Sequence, residues 1–228
     1  MMRRIGRELR GLVRPRHFVQ LSALAVFAAL FLELAEDVWI QEGFAWDVPV
    51  ALAIHRLQRP WLDEAMQAIT WTGGYGALLG TLVGGLWLLR RLMPERALLL
   101  LGSYTAASVF TLGLKQVFQR PRPALFPPLV AARGYSFPSG HTFAGLMLYG
   151  MLAVYLWQDR RRGPALLMAI WGPLIGFSRI YLGVHYPSDV LASLTAGVLW
   201  MLPGLALMGR GLPPFKPRED PTAASFRR

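Results

Sequence analysis

The chain has 228 residues, 54% of them hydrophobic and 16% charged, and its mean hydropathy is positive. This argues against a soluble domain with a polar surface and for a single membrane domain. It contains no cysteine, which excludes disulfides, thiolate metal sites and cysteine nucleophiles, and its net charge of +11 sits in arginines flanking apolar stretches, so nucleic acid is not an expected partner.

In chain order, residues 1–17 form a basic segment with Arg3, Arg4, Arg7, Arg10, Arg14 and Arg16, followed by an apolar segment at 18–34. This pattern resembles a secretory signal, but no small-x-small cleavage site precedes Glu33, Glu36 and Asp37, so the segment is expected to remain as a first span. Over 49–69, Val50, Ile54, Leu57, Trp61, Ala65 and Ile69 recur at helical spacing opposite Arg56, Arg59, Asp63 and Glu64. The spacing predicts an amphipathic helix lying on the outer membrane surface between the first two spans, or packed over the mouth of the bundle, with Trp46, Trp61 and Trp71 suited to the interface.

Five further apolar segments follow at 74–89, 97–114, 143–157, 164–177 and 190–208. Several are shorter than the ~20 residues of a full span, so their helices are expected to extend into flanking polar residues. Runs such as Leu98-Leu99-Leu100-Leu101 are continuously apolar, unlike the alternation of a membrane β-barrel. The expected fold class is therefore all-α integral membrane, a six-transmembrane-helix bundle. Gly80, Gly84, Gly85, Gly145, Gly150, Gly172 and Gly176 are candidate points of close helix approach. Residues 211–228, rich in proline and charge, read as a disordered tail, leaving 18–210 as the membrane domain.

The connections decide orientation. The N-terminal segment, Arg90, Arg91 and Arg96, Arg160 to Arg162, and the tail hold most of the basic residues, and cytoplasmic loops retain Lys and Arg. Both termini are thus expected in the cytoplasm, most simply at a bacterial inner membrane. Three polar clusters then fall together on the extracytoplasmic side: Lys115 with Arg122-Pro123, then Pro138-Ser139-Gly140-His141, then Ser178-Arg179 with His185 and Asp189.

Charged residues and histidines beside apolar runs are costly and invite a functional reading. Any one arginine here alone would read as an interfacial charge, and either histidine alone as a buried structural one. Together, Lys115-x6-Arg122-Pro123, Pro138-Ser139-Gly140-His141 and Ser178-Arg179-x5-His185-x3-Asp189 resemble the three signature motifs of the type-2 phosphatidic acid phosphatase superfamily. The six-residue gap selects Arg122 over Arg120, which is left as a supporting loop cation.

The residues suit phosphoryl transfer. A phosphate ester repels a nucleophile, so catalysis needs fixed positive donors around its nonbridging oxygens. Lys115, Arg122 and Arg179 supply them, and Ser139-Gly140 before a helix adds a hydroxyl and backbone N–H groups. Composition alone would allow the two histidines to exchange roles. The resemblance implies His185 as the nucleophile, Asp189 as the carboxylate on its other ring nitrogen, and His141 as the acid that protonates the leaving oxygen. Pro187 suggests that a helix starts here, with Ser188 as its cap. Glu33, Glu36, Asp37 and Glu42 have no histidine at ligand spacing and read as a solvated loop. No metal or cofactor is expected.

The resemblance implies hydrolysis of a lipid phosphate or diphosphate, such as phosphatidate, phosphatidylglycerol phosphate, undecaprenyl diphosphate or a lipid A phosphate, at the extracytoplasmic face of the bilayer. A lipid phosphotransferase, a vanadate-binding haloperoxidase and a noncatalytic phospholipid-binding transporter are the rival readings.

Overall fold

In the computed structural model, residues 15–40 and 43–208 are described, and they are helical with no strand among them. The basic segment and the tail expected at the two ends fall for the most part outside these residues. The helices are α1 (Pro15–Trp39), α2 (Asp47–His55), α3 (Pro60–Gly73), α4 (Tyr75–Arg90), α5 (Pro94–Phe118), α6 (Gly140–Gly145), α7 (Met151–Gln158), α8 (Arg162–Tyr181) and α9 (Pro187–Met208). A π-helical turn, Leu146–Gly150, joins α6 to α7 without a break.

Each of the six apolar segments forms a helix, or in one case the α6–α7 rod, and except at α4, which matches its run in length, the helices outrun the apolar runs. By length and composition alone, α5 and α8 can cross a membrane, and α3 with α4 can do so as one span bent by 45°. The segment at 49–69 departs from the predicted single helix. Proline disfavours the helical conformation of the residue before it, and Arg59 is extended (φ −150°, ψ 145°) ahead of Pro60, so the chain breaks into α2 and α3. The buried stripe of α3 is also rotated from the predicted one: Met66, Thr70 and Gly73 are buried, while Trp61 is 70% exposed. Met66 packs with Tyr181 and Leu182, which seats α3 on α8.

The main core forms around Leu100, Phe143, Met147 and Met151, where α5 meets the α6–α7 rod and α9, while α1 packs along α9. Six of the seven glycines singled out in the sequence lie at close approaches, and Gly84 meets Leu100 only at an ordinary contact distance of 3.4 Å. A Cβ on Gly145 would stand 2.6 Å from Ile175, and one on Gly176 would stand 2.6 Å from Val190. Gly73 and Gly197, which the apolar pattern did not single out, are equally tight.

The two ends of the bundle differ. At one end, Arg96 in the first turn of α5 is buried and donates to both carboxylate oxygens of Asp159 at 3.0 Å, while Tyr155 Oη donates to the Arg96 carbonyl at 2.7 Å. Lys115 at the opposite end of α5 belongs to the polar site described below. Gly176→Val is expected to lower the thermal unfolding midpoint in detergent, by an overpacking cost of about 1–3 kcal/mol. Gly102→Ala, where a Cβ meets nothing within 4 Å, should leave the midpoint unchanged or raise it slightly.

Candidate active site

The polar site lies where α5 and α8 end and α6 and α9 begin. Helix ends are the natural place for it, because they combine free backbone groups with side chains that the apolar bundle could not hold. The αL cap at Gln119 (φ 46°) stops α5 one turn after Lys115, and the chain crosses the site as a loop over 119–139. Phe126 pins this loop, stacking on His55 with a centroid distance of 3.7 Å and lying against Gly183. Gly183 has φ +76° and a Cβ there would meet Phe126 at 2.5 Å, so the position favours glycine on both counts.

Lys115, Arg122, Gly140, His141, Arg179 and His185 all line one cavity of about 960 Å³, so six of the eight predicted site residues share a wall. The cations are held before any ligand arrives. Lys115 Nζ donates to the carbonyls of Tyr135 at 2.6 Å and Ser136 at 3.2 Å. Arg122 Nε and Nη2 donate to Gly134 O at 3.0 Å and Arg133 O at 2.9 Å. Arg179 Nη1 donates to Thr70 Oγ1 at 2.7 Å, while its buried Nε has no hydrogen-bond partner among the described residues.

The two other predicted residues, Ser139 and Asp189, stand behind the cavity wall and are fully buried. Ser139 Oγ accepts from Thr142 Oγ1 at 2.8 Å, and Ser139 N–H donates to the Asp189 carbonyl at 3.3 Å. The serine hydroxyl expected at the phosphate is therefore engaged inside the protein.

His185 Nδ1 lies 3.3 Å from Asp189 Oδ2, so the pair meets at its spacing of four although His185 precedes α9. On the cavity side, Arg122 Nη1 is 3.2 Å from His185 Nε2. Because a guanidinium can only donate, Nε2 accepts and Nδ1 carries the proton toward Asp189. Burial, reinforced by the positive charges of Arg179, Lys115 and Arg122, pushes the His185 pKa well below its ordinary value. The imidazole is therefore neutral near pH 7, with the Nε2 lone pair facing the cations.

Arg120 carries more than its sequence position suggested. Its Nη1 donates to Asp189 Oδ1 at 2.6 Å and to Ser188 Oγ at 2.8 Å, and its Nη2 donates to Asp47 Oδ2 at 2.8 Å. Its guanidinium also lies 4.3 Å from the ring centre of Tyr186. Burial works against this charge, but Asp189 and Asp47 outweigh it and hold the Arg120 pKa above its ordinary value. Ser188 is not the cap of α9. It lies inside the helix, its N–H donating to Asp47 Oδ1 at 2.8 Å and its hydroxyl to Asp47 Oδ2 at 2.5 Å. Asp47, in the first turn of α2, thus caps α9 from another helix.

Comparison with known proteins follows the same residues. The profile of the PAP2 superfamily matches residues 96–210. The chain belongs to the PAP2 superfamily. Phosphatidylglycerophosphatase B of Bacillus subtilis is 30% identical over 178 residues, 74% of this chain and 86% of that protein. The undecaprenyl-diphosphatase BcrC of the same organism is 38% identical over 87 residues, 36% of this chain and 42% of that one. A crystal structure of a transmembrane PAP2 type phosphatidylglycerolphosphate phosphatase from B. subtilis superposes with a TM-score of 0.70 at 28% identity, covering 81% of this chain and 96% of that one. With its apolar helices, this PAP2 chain is an integral membrane protein.

Sequence reasoning passed over Thr70, Gly74 and Asp47, all outside the matched region. Gly74 ends α3 and opens α4, and a Cβ there would stand 2.6 Å from His141 Nε2. The adjacent Gly73-Gly74 between aromatic residues was the one available signal. Gly74→Ala is expected to displace the His141 ring and lower turnover by about 100-fold, the cost of ~1 Å of misplacement. Turnover of a lipid phosphate, compared at unchanged thermal midpoint, checks this.

Proposed function

We propose that this PAP2 enzyme hydrolyses a lipid phosphate at the extracytoplasmic membrane face through a phosphohistidine on His185. One observation carries the reading: His185 Nε2 opens onto the cavity shared by Lys115, Arg122, Arg179 and His141, while its Nδ1 side is held by Asp189.

In this mechanism, Lys115, Arg122 and Arg179 take the nonbridging oxygens of the phosphate, the Arg122 and Arg179 forks matching paired oxygens. Gly140 N–H, at the start of α6, adds a backbone donor. The bound phosphate draws Arg122 from Nε2, which then attacks phosphorus in line with the leaving alkoxide. The phosphorus–nitrogen bond forms as the ester bond breaks, and His141 gives its proton to the departing oxygen. Asp189 holds the Nδ1 proton and stabilises the positive ring. Water then attacks the phosphohistidine, His141 takes its proton, and the phosphorus–nitrogen bond breaks to release phosphate and restore both histidines. Three fixed cations already surround the phosphate, so no metal ion is assigned a role.

Six helical segments, α1, α4, α5, α6–α7, α8 and α9, are proposed to cross the bilayer, with the residues at both ends in the cytoplasm. In support, each covers one of the predicted spans and successive segments alternate between the catalytic end and the Arg96–Asp159 end. Residues 18–210 would be the membrane domain, between a basic cytoplasmic segment at 1–17 and a cytoplasmic tail at 211–228. The inner membrane of a bacterium suits the basic connections. An active site at this depth lets a lipid keep its tail in the bilayer while its head group enters the polar cavity.

Phosphatidylglycerol phosphate is the first substrate to test, because the B. subtilis phosphatidylglycerophosphatase matches along most of the chain, whereas BcrC matches over about a third. Purified protein assayed against a panel of lipid phosphates and diphosphates is expected to release free phosphate from at least one, with full activity in chelator. His185→Ala should lower that release by several orders of magnitude while leaving the melting curve intact; unchanged hydrolysis would sink the mechanism.

The depressed His185 pKa also predicts a pH dependence. A base that protonates only well below pH 6.5 stays competent as the medium is acidified, so its inactivation in kcat/KM lies below pH 6.5. The same depressed pKa works against the fold in acid. The unfolded chain binds a proton at His185 near pH 6.5 that the native state refuses, so stability is full above that pH and declines below it. Thermal midpoints at pH 7 and pH 5 measure this, and His185→Ala should narrow the difference.

A further inference from the structure

The cations that hold a phosphate are hostile to the nucleophile beside them. Lys115, Arg122 and Arg179 all draw electron density from His185 and oppose the positive ring of a phosphohistidine. Negative charge behind the ring must offset them, and Asp189 is the carboxylate placed to supply it. Yet Asp189 Oδ1 is met by Arg120 at 2.6 Å. Asp189 and Arg120 alone would form a neutral pair.

Asp47 alters that balance. It is 2% exposed, stands 141 residues before Ser188, and lies outside the region matched by the family profile. It engages the second arm of Arg120 at 2.8 Å, so one guanidinium is divided between two carboxylates. With both carboxylates ionised, the buried set of Asp47, Arg120 and Asp189 carries one net negative charge. Through Ser188, Asp47 also fixes the first turn of α9, from which Asp189 projects.

We propose that Asp47 is a positioning residue for the nucleophile, sharing Arg120 with Asp189 so that a net negative charge remains behind His185. The proposal rests on the reading of His185 as nucleophile. Asp47 touches neither the His185 ring nor the cavity wall; it acts through Arg120 and Ser188. Carboxylates that orient metal-bound histidines from behind are worth about 10–100-fold in activity, and an effect on that scale is expected here.

The test compares kcat and KM of Asp47→Asn, Asp47→Glu and the double variant Asp47→Asn/Arg120→Gln with the unaltered protein, on a water-soluble short-chain phosphate ester, with thermal midpoints alongside. Asp47→Asn keeps the shape and removes the charge; it is expected to lower kcat about 10–100-fold with KM within about threefold. The double variant removes one charge of each sign, restoring the net negative charge, and should recover at least several-fold of that kcat. Asp47→Glu, charged but larger, should also exceed Asp47→Asn, an order that a purely steric role would reverse.

Wild-type kcat in Asp47→Asn, or a loss that neither the double variant nor Asp47→Glu recovers, overturns the proposal. If Asp47→Asn does not fold, the isosteric pair Asp47→Glu and Asp47→Gln makes the same comparison: higher kcat in the glutamate variant supports it and equal kcat overturns it. The underlying reading is tested separately by trapping an acid-labile phosphoenzyme in the unaltered protein. Its absence removes His185 as nucleophile whatever the Asp47 variants do.

Discussion

Carboxylates buried at the end of an apolar bundle must be paired to persist, and here a single guanidinium satisfies two of them. Arg120 lies between two buried carboxylates, one from α2 and one from α9. An isolated carboxylate in such a place would be forced to neutralise, and removal of one partner from a buried pair leaves the other uncompensated. The position of α9, the register of the loop that starts at Gln119 and the seat of α2 over the bundle all meet at this residue. His185 and Asp189 sit within the same few ångströms, so the site inherits its geometry from the pairing.

The arrangement separates two electrostatic demands that conflict when they fall on one side. In the proposed mechanism, phosphate binding requires positive charge, and a nucleophilic imidazole requires that this charge not remove its lone pair. The protein places Lys115, Arg122 and Arg179 on the cavity side of His185 and the Asp189 carboxylate on the other. Backbone carbonyls of the loop at 119–139 hold Lys115 and Arg122. Carbonyl dipoles orient a cation without cancelling its charge, which keeps both available to an incoming anion. Preorganised donors of this kind cost little reorganisation when the phosphate charge redistributes in the transition state.

The far end of the molecule shows the same rule in a plainer form. Arg96 and Asp159 form a bidentate pair where α5 begins and α7 ends, and Tyr155 closes the Arg96 carbonyl. Between the two ends, glycines let α4, α6, α8 and α9 approach closely enough to exclude other side chains. Close backbone contact is an effective source of packing energy inside a bilayer, where surrounding lipid is as apolar as leucine. The polar ends define the position of the rods, and the glycine contacts bring them together.

Much was determined by the amino-acid sequence alone. Apolar runs are contiguous, so the six long segments were legible, as were the close-packing glycines on them. The residues of the proposed site were legible because each motif is short and bound to a helix end. What needed tertiary structure was every relation between distant segments. The break at Arg59–Pro60 follows from the proline itself, but the rotated buried face of α3 follows from packing on Tyr181 and Leu182, which a periodicity of apolar residues does not encode. Ser188 has the sequence of a cap, yet a carboxylate from α2 occupies that position. Arg120 read as a supporting loop cation and Asp47 carried no reading at all; the two are 73 residues apart. Only the fold brings them within 2.8 Å of each other and behind His185, because burial makes a charge seek its partner in space, without regard to its place in the chain.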